Sequence, residues 1–273
     1  MTVEEKILFT FPGKLGDLVY SLPAVRAAAA YFRRRVFFQT SEFCRPALPL
    51  LSSLPFIAGA FLDPDYRLEH ARFGVQPYLM SEPPGFSTVF HLGFRPGLLE
   101  KSIFSRPLID SFFFVLKEVY GLELSWGREP YLHLAGPAQG EDIVFQGHGE
   151  TLRDLMDVAS KKRLAEFWPE LFRLTGRRVT AVCAPGERDV YRALGMPAVC
   201  PANLLQTARL IRKAKVFVGV QSAAAAVADG LAAPRLILAW FGNALPVTAN
   251  GLTFTLEDDP ERAARDLKAK FGV

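Results

Sequence analysis

Residues 6–32, KILFTFPGKLGDLVYSLPAVRAAAAYF, constrain the fold more than any other stretch, because an apolar run, a glycine-bearing loop and a long helical pattern follow without a gap. Ile7-Leu8-Phe9-Thr10-Phe11 reads as a short buried strand. Pro12-Gly13 ends it with a fixed φ followed by a residue free to take positive φ. Gly16-Asp17 then opens a helix, with Asp17 able to cap free backbone N–H groups. Leu18, Leu22, Val25, Ala29 and Phe32 recur at helical spacing, so the helix lies on a sheet and holds the Gly13–Asp17 loop at the sheet's carboxyl edge. In open α/β sheets that edge is where ligands sit.

The pattern continues as alternating strands and helices. Strands are expected at 35–40, 56–62 and 87–92, with a helix over 42–54 and an apolar helix through Phe112–Tyr120. Asp63-Pro64-Asp65 is read as a turn. Short connections in a β-α-β-α-β order argue for a parallel sheet with right-handed crossovers. The turn-rich Ala135–Gly140 stretch reads as a linker, which gives domains at 1–137 and 138–273. Beyond it the β-α pattern restarts with strands at 142–146, 178–183, 215–219 and 236–240. Helices are expected through Trp168–Phe172, over 203–214 with Asn203 as N-cap, and over 222–231.

Half of the 273 residues are hydrophobic and 22% are charged, the balance of a globular chain with room for one large domain or two modest ones. A net charge of +4, spread over scattered Lys and Arg, suits anionic small molecules or an anionic membrane face better than a nucleic-acid groove. Cys44, Cys183 and Cys200 show no C-x-x-C spacing, which points to a reducing compartment and no zinc site. The MTVEEK start lacks the layout of a signal peptide, and no apolar run reaches the ~18 residues of a membrane span. The expected location is cytoplasmic, with at most peripheral contact with the inner membrane face.

Gly13-Lys14-Leu15-Gly16-Asp17 followed by Ser21-Leu22-Pro23-Ala24-Val25-Arg26-Ala27 resembles the amino-terminal signature of glycosyltransferase family 9, the lipopolysaccharide heptosyltransferases. Lys161-Lys162-Arg163 through Trp168-Pro169, and the strand leading to Pro185-Gly186-Glu187, resemble that family's K-R-W-P and G-x-P-G-E segments. Val218-Gly219, Ser222, the alanine-rich helix and Phe241-Gly242 resemble its donor site. The sequence departs at Gln221-Ser222-Ala223-Ala224-Ala225-Ala226, where the family reads D-S-G-P-x-H.

The resemblance implies two Rossmann-like domains facing across a cleft, the glycosyltransferase B architecture. It implies an inverting, metal-independent transfer of a heptose-like sugar from a nucleotide-diphosphate sugar, such as ADP-heptose, to a glycan or lipopolysaccharide-type acceptor. No cofactor beyond that co-substrate is implied. Asp17 would be the general base, or else only a helix cap. Lys162, with Lys161 as the alternative register, would reach the donor phosphates beside Gly147, Glu187, Gly219, Ser222 and Ala223. Lys14, Gly16, Ser21 and Arg95 would lie on the acceptor side. His91 at a strand end reads as a satisfied structural histidine. The altered donor motif keeps a second reading open, a non-catalytic nucleotide-sugar-binding relative of the same fold.

Overall fold

The computed structural model describes residues 5–66, 80–93, 106–134, 140, 142–148, 156–239 and 248–273. These divide into two compact units, Met1–Gly127 and Arg128–Val273.

In the first unit β1 (Ile7–Phe11), β2 (Val36–Thr40), β3 (Ile57–Leu62) and β4 (Thr88–His91) form an all-parallel sheet ordered β3-β2-β1-β4. All five residues of β1 are buried, as a central strand covered on both faces requires. Phe9 stacks on Phe90 of β4 at 4.9 Å between ring centroids. Helix α1 (Leu15–Tyr31) connects β1 to β2 and packs against α3 (Leu108–Tyr120). Between β2 and β3 the expected single helix is instead a 3₁₀ turn, Glu42–Ala47, followed by α2 (Leu48–Ser52). Pro46 explains the break: it lacks an N–H and steers the preceding residue away from helical angles.

The second unit carries β5 (Ile143–Gln146), β6 (Val179–Val182), β7 (Ala198–Val199), β8 (Val216–Val220), β9 (Arg235–Leu238) and β10 (Gly251–Phe254). They form one parallel sheet ordered β10-β9-β8-β5-β6-β7. Its helices are α4 (Val158–Thr175), α5 (Arg188–Ala193), α6 (Leu204–Lys213), α7 (Ala223–Gly230) and α8 (Pro260–Phe271). Asp157, Asn203, Ser222 and Asp259 cap α4, α6, α7 and α8, each side chain accepting from the N–H three residues on. The core gathers Phe145, Trp168, Leu171, Phe172 and Val218 around β5 and α4. Arg235 and Asp229, two charges inside the most apolar part of the sequence, pair with each other in the interior. Arg235 also donates to Thr248 O at 2.9 Å, and Asp229 Oδ1 accepts the Thr248 N–H at 3.1 Å. Burial of the pair is tolerated because each charge faces the other and is hydrogen-bonded.

The division at Gly127 falls ahead of the 137/138 boundary read from the linker composition. Tyr131 and Leu132 belong to the second unit: both N–H groups donate to Gly230 O at 3.0 Å, and both side chains are buried. Residues 135–139 lie outside the described residues. Among the described residues no helix is long and apolar enough to cross a membrane.

Both sheets reverse direction beside their first strand. The chain runs β1, β2, β3 to one side and then places β4 on the other; it runs β5, β6, β7 to one side and then places β8 on the other. Such reversals open a crevice at the carboxyl ends of the flanking strands, the usual ligand position in open α/β sheets.

Candidate active-site loops at the two switch points

In the first unit the switch point lies between β1 and β4, and the Phe11-Pro12-Gly13 turn leaves the sheet there. A Cβ added to Gly13 would stand 2.4 Å from Phe11 Cζ, so the buried ring leaves position 13 no room for a side chain. Three successive carbonyls of this turn are held from the neighbouring strand and its continuation. Thr40 Oγ1 donates to Phe11 O at 2.7 Å, Ser41 Oγ to Pro12 O at 3.1 Å and Cys44 Sγ to Gly13 O at 3.0 Å. Burial pushes the Cys44 thiol up to about 12, so it stays a protonated donor.

The fixed turn places Lys14 at the N-cap of α1, where no side chain caps the helix, and makes Asp17 the third helical residue. Asp17 is therefore not the cap that its position beside Gly16 suggested. It is half-buried, and removal from water raises its carboxyl from 3.8 to about 6, against the opposing pull of Lys14. A carboxylate with this value is ionised at pH 7 and well matched to receiving a proton. Gly16 and Lys14 share its half-buried edge. Ser21 does not: it is fully buried and its hydroxyl donates to Leu18 O at 2.7 Å, so it serves the packing of α1. His91, at the end of β4, is satisfied by Thr10 Oγ1 at 2.8 Å and Glu82 Oε1 at 3.0 Å. Arg95 lies outside the described residues, as does Lys101; Arg106 stacks over the Phe114 ring at 4.3 Å.

In the second unit the switch point lies between β5 and β8, and the same device appears twice. A Cβ on Gly147 would stand 2.5 Å from Phe145 Cζ, and one on Gly219 would meet Gln146 O at 2.6 Å and Phe217 Cζ at 3.1 Å. Each glycine follows two residues after a buried phenylalanine, and each lets the backbone pack closely near the sheet's carboxyl edge. The Gly147 N–H donates to Tyr191 Oη at 3.1 Å, and His148 Nδ1 lies 2.9 Å from the same oxygen. Ser222 accepts from Ala225 N at 3.2 Å while donating to Gln146 Oε1 at 2.7 Å. The start of α7 is thereby tied to the end of β5. The N–H groups of Ala223 and Ala224 have no intrahelical acceptor, which makes this helix start suited to an anion.

The remaining residues expected on the donor side are more scattered. Lys162 is exposed on α4 and faces Glu166 at 4.0 Å; Lys161 beside it is exposed as well. Asp157 caps that helix by accepting from Ser160 N at 2.7 Å, so the lysines sit in its second turn and not at its positive end. Among the described residues neither lysine is linked to Ser222 or Gly147 by a hydrogen bond or ion pair. Glu187 Oε2 accepts from Ala184 N at 3.0 Å and closes the 3₁₀ turn Pro185–Glu187. Ala226, where the resembled family carries histidine, is fully buried, and its carbonyl accepts from Tyr131 Oη at 3.3 Å.

Asp63-Pro64-Asp65 has the D-x-D spacing of magnesium-binding acid pairs. Its first carboxylate is buried and bonded to backbone, accepting from Asp65 N at 3.0 Å and Ser81 N at 2.9 Å, which makes it a turn residue. Among the described residues no group of three or more His, Cys, Asp or Glu is placed to hold a metal ion. Sequence reasoning missed Gln146 and Tyr191. Gln146 could have been found as the polar residue closing a central strand; Tyr191 stands in a short helix with no periodic signal.

No protein-family model matches the chain, and no curated protein sequence matches it. Solved structures do. The E. coli heptosyltransferase WaaC, solved with ADP, is 15% identical, with 97% of this chain and 99% of that chain covered and a TM-score of 0.65. A family 9 glycosyltransferase from Veillonella parvula is 12% identical over 99% of this chain and 98% of that one, with a TM-score of 0.66. The E. coli ADP-heptose lipopolysaccharide heptosyltransferase II is 15% identical, covers 97% and 98%, and has a TM-score of 0.65. At these identities the likeness is one of fold, and it extends over both units.

Proposed function

We propose that this chain is an inverting, metal-independent glycosyltransferase that moves a heptose-like sugar from a nucleotide-diphosphate sugar, ADP-heptose in type, to a glycan or lipopolysaccharide-type acceptor. The observation that carries the reading is Asp17: a half-buried carboxylate raised to about 6, on a rigid turn at a switch point, in a chain that shares its fold end to end with heptosyltransferases. In this mechanism Asp17 takes the proton of an acceptor hydroxyl. The freed oxygen attacks the anomeric carbon from the face opposite the diphosphate, and the bond from that carbon to the diphosphate oxygen breaks with inversion. The open N–H groups at the start of α7, oriented by Ser222, meet the charge that develops on the leaving diphosphate, with Lys162 adding its cation. In this reading the domain at 1–137 supplies the base and the domain at 138–273 supplies the donor site.

Nucleotide release from ADP-, GDP- and UDP-sugars in the presence of a heptose-bearing glycolipid tests this directly. The expected result is turnover that persists in EDTA and yields the inverted anomer. A retained anomer or EDTA-sensitive turnover sinks the mechanism.

The burial of Ala226 supports one rival. With no histidine at that position the leaving group loses one donor, as in a non-catalytic nucleotide-sugar-binding relative. Tight nucleotide binding with no release from any sugar nucleotide would select it.

A further inference from the structure

Strands β6 and β7 pair in parallel, Ala181 opposite Ala198 and Val182 opposite Val199. The ladder continues one step further, with the Cys183 N–H donating to Val199 O at 3.1 Å, and this sets Cys183 opposite Cys200. Their side chains emerge on the same face, and the two sulfurs lie 3.6 Å apart as free thiols. Directly opposed residues of neighbouring strands have the Cα separation that a disulfide needs, so bridging calls for little more than rotation of the side chains. The two thiols differ in access. Cys183 is 5% exposed and packed into the core around β5, whereas Cys200 is half-buried and lines a surface cavity of about 270 Å³ together with Arg209 and Lys213. Cys44, in the other unit, is fully buried under the Gly13 turn.

We propose that Cys183 and Cys200 are a reversible disulfide site, oxidised by small anionic disulfides that approach through the cavity lined by Arg209 and Lys213. The Cys200 thiolate attacks one sulfur of oxidised glutathione and displaces one glutathione, which leaves a mixed disulfide on Cys200. Cys183 then attacks Cys200 Sγ, displaces the second glutathione and gives up its proton. The two protein thiols lose two hydrogens in all, and the glutathione disulfide gains them. Burial holds the Cys183 thiol above its ordinary range, so the second step accelerates with pH. The bridge closes the segment between Cys183 and Cys200, which carries Glu187 and Tyr191, and Tyr191 holds the Gly147 N–H.

The test treats the folded protein with oxidised glutathione, quenches with acid, alkylates after unfolding and maps the peptides. The expected product joins the Cys183 and Cys200 peptides, leaves Cys44 alkylated, reverts under reductant, and melts about 5–10 °C above the reduced protein, as closure of a loop of this length implies. The variant Cys183→Ser should stop at glutathione on Cys200. The proposal is overturned if the wild-type protein retains glutathione on Cys200 without cross-linking, or emerges with both thiols free. Because the mapping uses the wild-type protein and no sugar nucleotide, its result does not depend on the proposed transferase activity.

Discussion

The Ser222 hydroxyl donates to the side-chain carbonyl of Gln146 at 2.7 Å while accepting the N–H of Ala225, so one oxygen joins the end of the central strand β5 to the start of α7. Ser222→Ala removes both bonds. We expect a loss of about 1–2 kcal/mol in denaturant unfolding, the usual size for an N-cap, and weaker binding of nucleoside diphosphate by about 5- to 10-fold in calorimetry. Stability lost with affinity unchanged would detach this helix start from the donor.

As the proposed base, Asp17 would set activity against stability. Its folded value of about 6 lies above the unfolded 3.8, so the folded state holds the proton more tightly. The protonated form is favoured at low pH, and stability falls as pH rises from about 4 to about 6. Asp17→Asn removes this dependence and should raise the melting temperature at pH 7, while turnover drops by about 10²- to 10⁴-fold. In the wild type, kcat/KM should climb with pH through an apparent pKa near 6. Near-normal turnover of the asparagine variant would make Asp17 a structural residue.

Lys162 offers a cleaner separation. Its pair with Glu166 is exposed and contributes a few tenths of a kcal/mol at most, so Lys162→Ala should unfold with the wild type. If the lysine meets the donor phosphates, affinity falls by about 5- to 100-fold, and the effect shrinks in high salt. An unchanged titration assigns Lys162 to the solvated face of α4.

Gly13→Ala and Gly147→Ala each drive a methyl into a phenylalanine ring that has no free space. We expect each to destabilise its unit by about 1–3 kcal/mol, and trimming the ring beneath, as in Phe145→Leu with Gly147→Ala, to recover part of the loss. Equal stability of Gly147→Ala and wild type would mean that the ring moves aside freely.

Much of this arrangement was legible in the amino-acid order. Runs such as Ile7–Phe11 and Val216–Val220 are apolar because their strands are covered on both faces, and Pro12-Gly13 marks where the chain leaves the sheet after the first of them. Asn203 announced its helix by a capping chemistry that needs only local sequence. The elements missed were those whose signal is not local. β7 has two residues and exists because β6 offers it a ladder; α5 is a six-residue helix anchored by Tyr191; β10 follows from its pairing with β9. The candidate site divides the same way. The glycines and Ser222 sit at strand and helix ends that periodicity can locate. The N3 position of Asp17, the burial of Ser21 and the bond from Tyr191 to Gly147 depend on contacts between segments distant in sequence.

The phenylalanine beneath each edge glycine has a consequence for how such a chain can diversify. With Phe11, Phe145 and Phe217 filling the space where side chains would begin, those three positions have no chemical vocabulary of their own. Gly13 and Gly219 are themselves buried and the Gly147 N–H is held by Tyr191, so none of the three can tell one ligand from another through a side chain. Under the proposed function, preference for one sugar over another would be written elsewhere, in the side chains of the surrounding loops, and could drift there while the edges that carry the rings stay fixed.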